Sequence, residues 1–224
     1  MNFYEDLINE IIIPDEFGYD YEYDDVEDVC QCIYDAYKRI ESSYPNEDFS
    51  IEVGCTKLVI VDKNQDTVLK IPFNGYTDWD TWCPFHSAWN GEEYCDNYCR
   101  REVWLYDNAL VEGYEEFFCG IELFGYTKDR TPVYEQKKLN FPVDMHTSIE
   151  SIQSYDHYTD DFRCCGIFDC ESGPCMLEAI GEDNFKRLMD FLIEYEVSDL
   201  HSANLAIDPQ TGILCICDYG GFRE

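Results

Sequence analysis

The most constraining feature of the chain is a set of polar residues near its end, in SDLHSANLAI and in Asp218-Tyr219-Gly220. The set contains Asp199, then Asn204 and, after an apolar strand-like stretch, Asp218. Phosphoryl transfer needs a carboxylate near the acceptor hydroxyl and hard oxygen ligands that hold Mg²⁺ against the nucleotide phosphates. These residue types therefore favour a phosphotransferase site, with Asp199 beside the acceptor and with Asn204 and Asp218 as metal ligands.

Two residues upstream resemble a further part of protein-kinase sites, in which a strand lysine contacts the phosphates and a helix glutamate orients that lysine. Lys70 lies in DTVLKIPF, an apolar and β-branched context that predicts a strand. Glu102 opens the apolar face of a helix predicted over 100–112, a face formed by Val103, Tyr106, Ala109 and Leu110. Glu115 or Glu116 is the alternative partner for the lysine.

The order lysine, glutamate, catalytic loop and metal aspartate resembles the catalytic core of the protein-kinase-like superfamily over roughly residues 49–222. The loop is closest to the Asp-Leu-His-x-x-Asn loop of aminoglycoside and choline phosphotransferases. The resemblance implies an α+β, two-lobe fold with an antiparallel small-lobe sheet. It also implies ATP and Mg²⁺ as cofactors, with a hinge at Glu135 and Gln136 meeting the adenine. Because the sequence ends soon after Asp218, we expect a reduced large lobe.

The turn between the first two predicted strands contains a single glycine, Gly54, where the resembled enzymes have a glycine-rich turn over the phosphates. Thr56 and Lys57 are candidate side-chain donors at this place. Two states therefore stay open for the site. The chain is either an ATP-dependent phosphotransferase or a pseudokinase that keeps the fold without turnover.

The sequence divides into three predicted segments. Residues 1–48 form an acidic helical extension, 49–139 a small lobe with a Trp- and Cys-rich insert at 74–99, and 140–224 a truncated large lobe. Hydrophobic spacing predicts further elements inside these segments: helices over 2–13 and 25–40, strands at 49–53, 57–62 and 67–73, a hairpin within 117–139, a helix over 182–195 capped by Asp183 or Asn184, and a hairpin across 208–212. The segment 140–178 is predicted to be irregular.

Charge limits the partners. The chain carries 48 acids against 15 Lys and Arg residues, a net charge of −33. Such a field repels nucleic acids and anionic lipids and attracts basic proteins. The alternative function is therefore a non-enzymatic acidic inhibitor, comparable to the nucleic-acid mimics of phages such as anti-defence or anti-CRISPR proteins. It would block a basic nucleic-acid-binding partner through the tyrosine- and acid-rich run 15–28.

Cysteine usage and hydropathy indicate a cytoplasmic protein. The 13 cysteines form an odd, scattered set that suits a reducing compartment. No stretch approaches the ~20 apolar residues of a membrane span, and the start lacks a basic signal-peptide region. Zinc is a minor alternative at two sets of residues: Cys83, His86, Cys95 and Cys99, and Cys164, Cys165, Cys170 and Cys175.

Overall fold

A computed structural model describes most of the chain. The described residues are 2–13, 23–45, 47–53, 57–72, 97–141, 153, 155, 166–198 and 200–220. They fall into two compact units. The sheet unit comprises residues 1–100 and 121–138, and the hairpin unit comprises residues 101–120 and 139–224. The fold class is α+β, as the sequence predicted. The three predicted segments stay a prediction.

The sheet unit is built on five antiparallel strands in the order β1-β2-β3-β5-β4. Their bounds are Phe49–Val53 (β1), Lys57–Asp62 (β2), Thr67–Pro72 (β3), Ile121–Tyr126 (β4) and Pro132–Lys137 (β5). The turn between β2 and β3 lies between the strands predicted at 57–62 and 67–73, and β4 and β5 form the hairpin predicted within 117–139. Because successive side chains of a strand point to opposite faces, each strand offers one face to a core.

Two helices cover one face of this sheet. Helix α1 (Phe3–Ile8) begins where the Asn2 side chain accepts a hydrogen bond from Tyr4 N at 3.1 Å. Helix α2 spans Tyr23–Ile40. Their apolar residues form one core with the sheet, made of Phe3, Tyr4, Leu7, Ile8, Ile33, Ala36, Leu58, Ile60, Leu69, Ile71 and Val133. The amphipathic stripe predicted for α2 is therefore confirmed at Ile33 and Ala36, and α1 and α2 share the core of the sheet.

In its described residues the hairpin unit contains the greater part of helix α3 (Asn97–Glu112), two further helices and a two-stranded hairpin. Helix α4 spans Ser172–Ile180 and α5 Glu182–Glu194, while the strands are Leu205–Ile207 (β6) and Leu214–Ile216 (β7). Helix α5 buries Phe185, Leu188, Met189, Phe191 and Leu192 on one side. Aromatic contacts join this side to the rest of the unit: the Phe191 ring lies 5.4 Å from that of Phe118, and the Phe185 ring 5.9 Å from that of Phe168.

Three predictions about local structure were wrong. The segment 140–178 contains α4, whose Gly173 lets the Tyr155 ring approach so closely that a Cβ would lie 2.2 Å from it. The cap of α5 is Gly181 rather than Asp183 or Asn184. Leu110 of α3 is exposed, while Leu105 and Ala109 are fully buried, so the buried stripe is turned from the predicted one.

No helix in the described ranges is long and apolar enough to cross a membrane.

The C-terminus of α5 is closed by a Schellman motif. Val197 N donates to Leu192 O at 2.9 Å, and Glu196 N donates to Ile193 O at 3.2 Å. Glu196 takes the left-handed position of the motif with φ of 54°. Glycine usually fills this position because a Cβ is strained there.

Replacement of Glu196 by glycine should therefore stabilise the protein. Glu196→Gly relieves the left-handed strain and removes an acid from a helix C-terminus, so we expect the free energy of unfolding to rise by about 1 kcal/mol. Denaturant unfolding measures the change. Glu196→Ala is the control, since it removes the charge and keeps the Cβ. An equal gain in both variants would contradict the assignment to backbone strain.

A buried carboxyl group lies where α1 meets the β2–β3 turn. Asp62 is fully buried, and Asn64 bridges it to Glu47: Asn64 N donates to Asp62 Oδ1 at 2.8 Å, and Asn64 Nδ2 donates to Glu47 Oε2 at 2.7 Å. The Tyr4 hydroxyl accepts from Asp62 N at 3.3 Å, and Lys138 Nζ donates to Asp62 O at 2.8 Å. Burial, and after it the negative charge of Glu47, raises the pKa of Asp62 above its ordinary value of 3.8.

This raised pKa makes stability depend on pH in a defined direction. Between the unfolded and the folded pKa, the folded state holds a proton that the unfolded state has lost, so the free energy of unfolding falls as pH rises through that window. Asp62→Asn keeps the acceptor for Asn64 N and removes the charge. We expect this variant to be more stable at pH 7, by about 1 kcal/mol or more, and to lose that part of the pH dependence.

Thermal unfolding between pH 4 and pH 8 tests this expectation. Asp66→Asn, at a more accessible acid of the same turn, is the matched control. An Asp62→Asn profile parallel to that of the wild type would contradict it.

Candidate functional site

The β6–β7 hairpin brings together two of the predicted metal ligands. Leu205 pairs with Ile216, so Asn204 and Cys217 flank the open end of the ladder. There Cys217 N donates to Asn204 O at 2.8 Å, and Asp218 follows directly. Asn204 and Asp218 are both half-buried. Two oxygen-bearing side chains are thus held on adjacent backbone segments and keep access to solvent.

The loop that leads into Asn204 is fixed by backbone hydrogen bonds. Leu200 N donates to Ile167 O at 2.8 Å, and Asp169 N donates back to Leu200 O at 3.0 Å. Residues Ser202–Asn204 form one 3-10 turn, in which Asn204 N donates to His201 O at 2.8 Å. The imidazole Nδ1 of His201 accepts from Ala203 N at 3.3 Å. Asp199, the predicted catalytic carboxylate, lies outside the described residues.

The residue after Asp218 anchors the second segment. Tyr219 is fully buried, its hydroxyl donates to Cys119 O at 2.8 Å, and its ring lies 5.0 Å from that of Phe118. Burial and, after it, the charge of Glu102 raise the pKa of Tyr219 well above its usual value. The tyrosine is therefore protonated at any working pH and acts as a hydrogen-bond donor.

Helix α3 carries the predicted glutamate, Glu102, which acts on Tyr219. Glu102 is fully buried, and its charge acts on Tyr219, whereas the alternatives Glu115 and Glu116 are exposed. Lys70 belongs to the sheet unit and Glu102 to the hairpin unit. The pairing of this lysine with this glutamate stays a prediction.

Within the sheet unit, Lys70 lies on the face opposite the α1–α2 core. It stands across from Val59 of β2 and Tyr134 of β5 in the sheet, between the core residues Leu69 and Ile71. Alternation places Lys57 on this same face. Both lysines are only 5% exposed. Burial of an ammonium group is costly unless polar or charged neighbours satisfy it, so the two lysines make this sheet face more polar than the α1–α2 core.

The predicted hinge residues lie inside β5. Gln136 pairs with Val68, which puts it on the Lys70 face, where it is buried. Glu135 pairs with Leu69 and points to the other face, where it accepts from Thr67 Oγ1 at 2.6 Å. Strand β5 thus runs through the predicted hinge rather than ending before it. Gly54 and Thr56 lie outside the described residues.

One arginine that the sequence analysis did not single out joins several segments of the hairpin unit. Arg101 of α3 is 2% exposed. Its Nη1 donates to Gly220 O at 3.1 Å, and its Nη2 donates to Tyr195 O at 2.8 Å and Glu196 O at 3.2 Å. A signal existed in the sequence, because Arg101 shares the i, i+4, i+8 spacing with Leu105 and Ala109 on the buried face.

A second residue that the sequence analysis did not single out is Asp169, which lies next to the loop that leads into Asn204. Its Oδ1 accepts from Ser172 N at 2.6 Å and Glu171 N at 3.0 Å, at the start of α4. Burial alone would raise the pKa of Asp169, but hydrogen bonds from Ser172 and Glu171 and the charge of His201 lower it below the usual range. The sequence signal was an acid a few residues before a helix. Asp169 stabilises the start of α4 beside Leu200.

The minor zinc sets gain no support from the described residues. Among these residues, no group of three or more His, Cys, Asp or Glu side chains is arranged to hold a metal ion. Cys83, His86, Cys95, Cys164 and Cys165 lie outside the described part. Cys99 is buried, Cys170 is exposed and Cys175 is half-buried.

Comparisons with known proteins add little to this geometry. No family model matches the chain, and no curated protein matches it. One solved structure similar to this chain is that of the Cydia pomonella granulovirus kinase PK-1, at 13% sequence identity and a TM-score of 0.37. The match covers 85% of this chain and 59% of the viral kinase, so the chain spans less than two thirds of that protein.

The buried hydroxyl of Tyr219 gives a testable contribution to stability. Tyr219→Phe keeps the ring and leaves Cys119 O without its donor, so we expect a loss of about 1–3 kcal/mol in the free energy of unfolding. Denaturant unfolding measures it. Tyr126→Phe, at a tyrosine that is 48% exposed, is the control. An equal, small loss of unfolding free energy in both variants would show that the Tyr219 hydrogen bond does not contribute to stability.

Proposed function

We propose that this chain is a kinase-like protein that binds ATP together with Mg²⁺ through the open end of the β6–β7 hairpin. The observation that carries the proposal is the Cys217 N to Asn204 O hydrogen bond, which holds Asn204 and Asp218 on adjacent segments. Asn204 and Asp218 hold the metal, Lys70 and Gln136 contact the nucleotide, and Glu102 orients Lys70. We include the two-lobe arrangement of a kinase-like fold in this proposal.

The side chains at the hairpin end suit a hard divalent cation. A neutral amide oxygen and a carboxylate are the ligand types that Mg²⁺ takes alongside water and phosphate oxygens. When bound, the ion supplies charge that offsets the phosphate oxygens. Asn204 cannot drift from Asp218, because its N–H donates to His201 O and its C=O accepts from Cys217 N. The protein therefore provides ligand spacing without metal-induced folding.

Lys70 suits the phosphates for a different reason. Lys70 lies on the sheet face opposite the α1–α2 core, in a chain with 15 Lys and Arg residues against 48 acids, so a phosphate group bound beside this face would meet one of the chain's few cations. Lys57 on the same face adds a second one. Local cations offset the general repulsion of an anionic nucleotide by the acidic chain.

Turnover is a separate step from binding. In the proposed active state, Asp199 would accept the proton of the acceptor hydroxyl, and the hydroxyl oxygen would take the γ-phosphoryl group of ATP as the bond to the leaving ADP breaks. In the pseudokinase state, nucleotide binding persists and no group is transferred. The proposal commits to nucleotide binding, with transfer to an acceptor as its active form.

A thermal-shift titration with ATP and Mg²⁺ tests the proposal. The melting temperature of the wild type should rise with nucleotide only when Mg²⁺ is present, by an amount equivalent to about 2–3 kcal/mol at a hundredfold excess over Kd. Asp218→Ala should remove the rise. Asp190→Ala is the matched control, because it removes one exposed acid of the same unit and should respond like the wild type.

The acidic inhibitor is the second candidate, favoured by the excess of acids. The 48 acids far outnumber the 15 Lys and Arg residues, so the chain as a whole attracts basic proteins. This candidate predicts no nucleotide response in any variant and predicts binding to a basic protein that weakens as salt rises. A thermal response to ATP that requires Mg²⁺ and is lost in Asp218→Ala would instead contradict this candidate.

A further inference from the structure

The C-terminus of α5 presents backbone carbonyls that the helix itself cannot satisfy. The last carbonyls of a helix carry partial negative charge and need outside donors. The Schellman motif at Glu196 and Val197 uses the carbonyls of Leu192 and Ile193. The next carbonyls, of Tyr195 and Glu196, accept from the Nη2 atom of Arg101, at 2.8 Å and 3.2 Å.

The same guanidinium reaches the other segment of the candidate site. Nη1 of Arg101 donates to Gly220 O at 3.1 Å. Gly220 lies two residues after Asp218, and Glu196 lies shortly before the loop that ends at Asn204. One rigid, planar group thus binds the chain upstream of one proposed ligand and downstream of the other.

We propose that Arg101 is a positioning residue, whose guanidinium fixes the spacing between the loop that carries Asn204 and the segment that carries Asp218. The inference rests on the proposed function for its consequence, metal-dependent nucleotide binding. Its structural part, the joining of two segments by one side chain, stands on the three hydrogen bonds alone.

The chemistry of the side chain explains why an arginine is placed here. The guanidinium keeps its charge when buried and offers donors in a fixed planar fork, which suits carbonyls from two chain segments. A lysine ammonium is a point charge on a flexible stem and fixes orientation less well. The positive charge also lies at the negative end of the α5 dipole.

Two substitutions distinguish the effect of the positive charge from the effect of the planar set of guanidinium donors. Arg101→Gln removes both, and Arg101→Lys keeps the charge alone. Hydrogen–deuterium exchange on peptides covering 197–204 and 214–220 reports the fixation of the two segments. The Mg²⁺ concentration that gives half of the ATP-dependent thermal shift reports the spacing of the ligands. Arg187→Gln is the control, since Arg187 is an exposed arginine of the same unit that contacts Gly113 O and the Tyr114 ring.

In Arg101→Gln we expect exchange in both segments to rise by about tenfold or more, because three carbonyls, of Tyr195, Glu196 and Gly220, lose the donor that joins the segments. We expect the required Mg²⁺ concentration to rise by about tenfold as well, with Arg101→Lys between this variant and the wild type. Arg187→Gln should change neither quantity.

Three results would overturn the inference: exchange that rises in one segment alone, exchange no faster than in Arg187→Gln, or a lower melting temperature with an unchanged Mg²⁺ requirement. If Arg101→Gln does not fold, Arg101→Lys decides by the same measurements. A wild type that ignores ATP and Mg²⁺ would refute the proposed function, and the exchange measurement would then decide the role of Arg101 by itself.

Discussion

The chain has to fold against its own charge, and the placement of its few cations follows from this constraint. A net charge of −33 opposes compaction, since like charges repel. The bases that are present therefore matter individually. In the described part of the chain, Lys57, Lys70 and Arg101 are buried, and Lys138 donates to the carbonyl of buried Asp62. Each of these cations lies at a point where backbone segments or sheet strands meet.

Local patterns predicted the regular elements because they depend on short-range physics. Strands β1, β2 and β3 and the β6–β7 hairpin follow from apolar alternation bounded by turn residues, and α2 follows from its stripe at Ile33 and Ala36. The prediction of the β6–β7 hairpin also predicted one feature of the candidate site. Once β6 and β7 pair, Asn204 and Asp218 must lie on adjacent segments.

Features that depend on tertiary contacts escaped the sequence. The rotation of α3 buries Arg101, whose guanidinium donates to Gly220 O, and leaves Leu110 exposed, and a contact between residues so far apart in the chain is not visible in a single sequence. The face of Glu135 follows from the register between β3 and β5, which a single sequence does not reveal. Helix α4 was not predicted, although Asp169, whose Oδ1 accepts from Ser172 N, was a local signal for its start.

The negative charge of the chain also affects whether metal or nucleotide binds first at the proposed site. An anionic nucleotide is repelled at long range by the excess of carboxylates, whereas a divalent cation is attracted by the same field. Under the proposed function, a metal at the hairpin end would meet one neutral amide and one carboxylate, and it would keep positive charge to offer to phosphate oxygens. The net charge of the chain would then favour the metal as the first ligand to bind. Arg101 matters under this order, because its hydrogen bonds are in place before any nucleotide arrives.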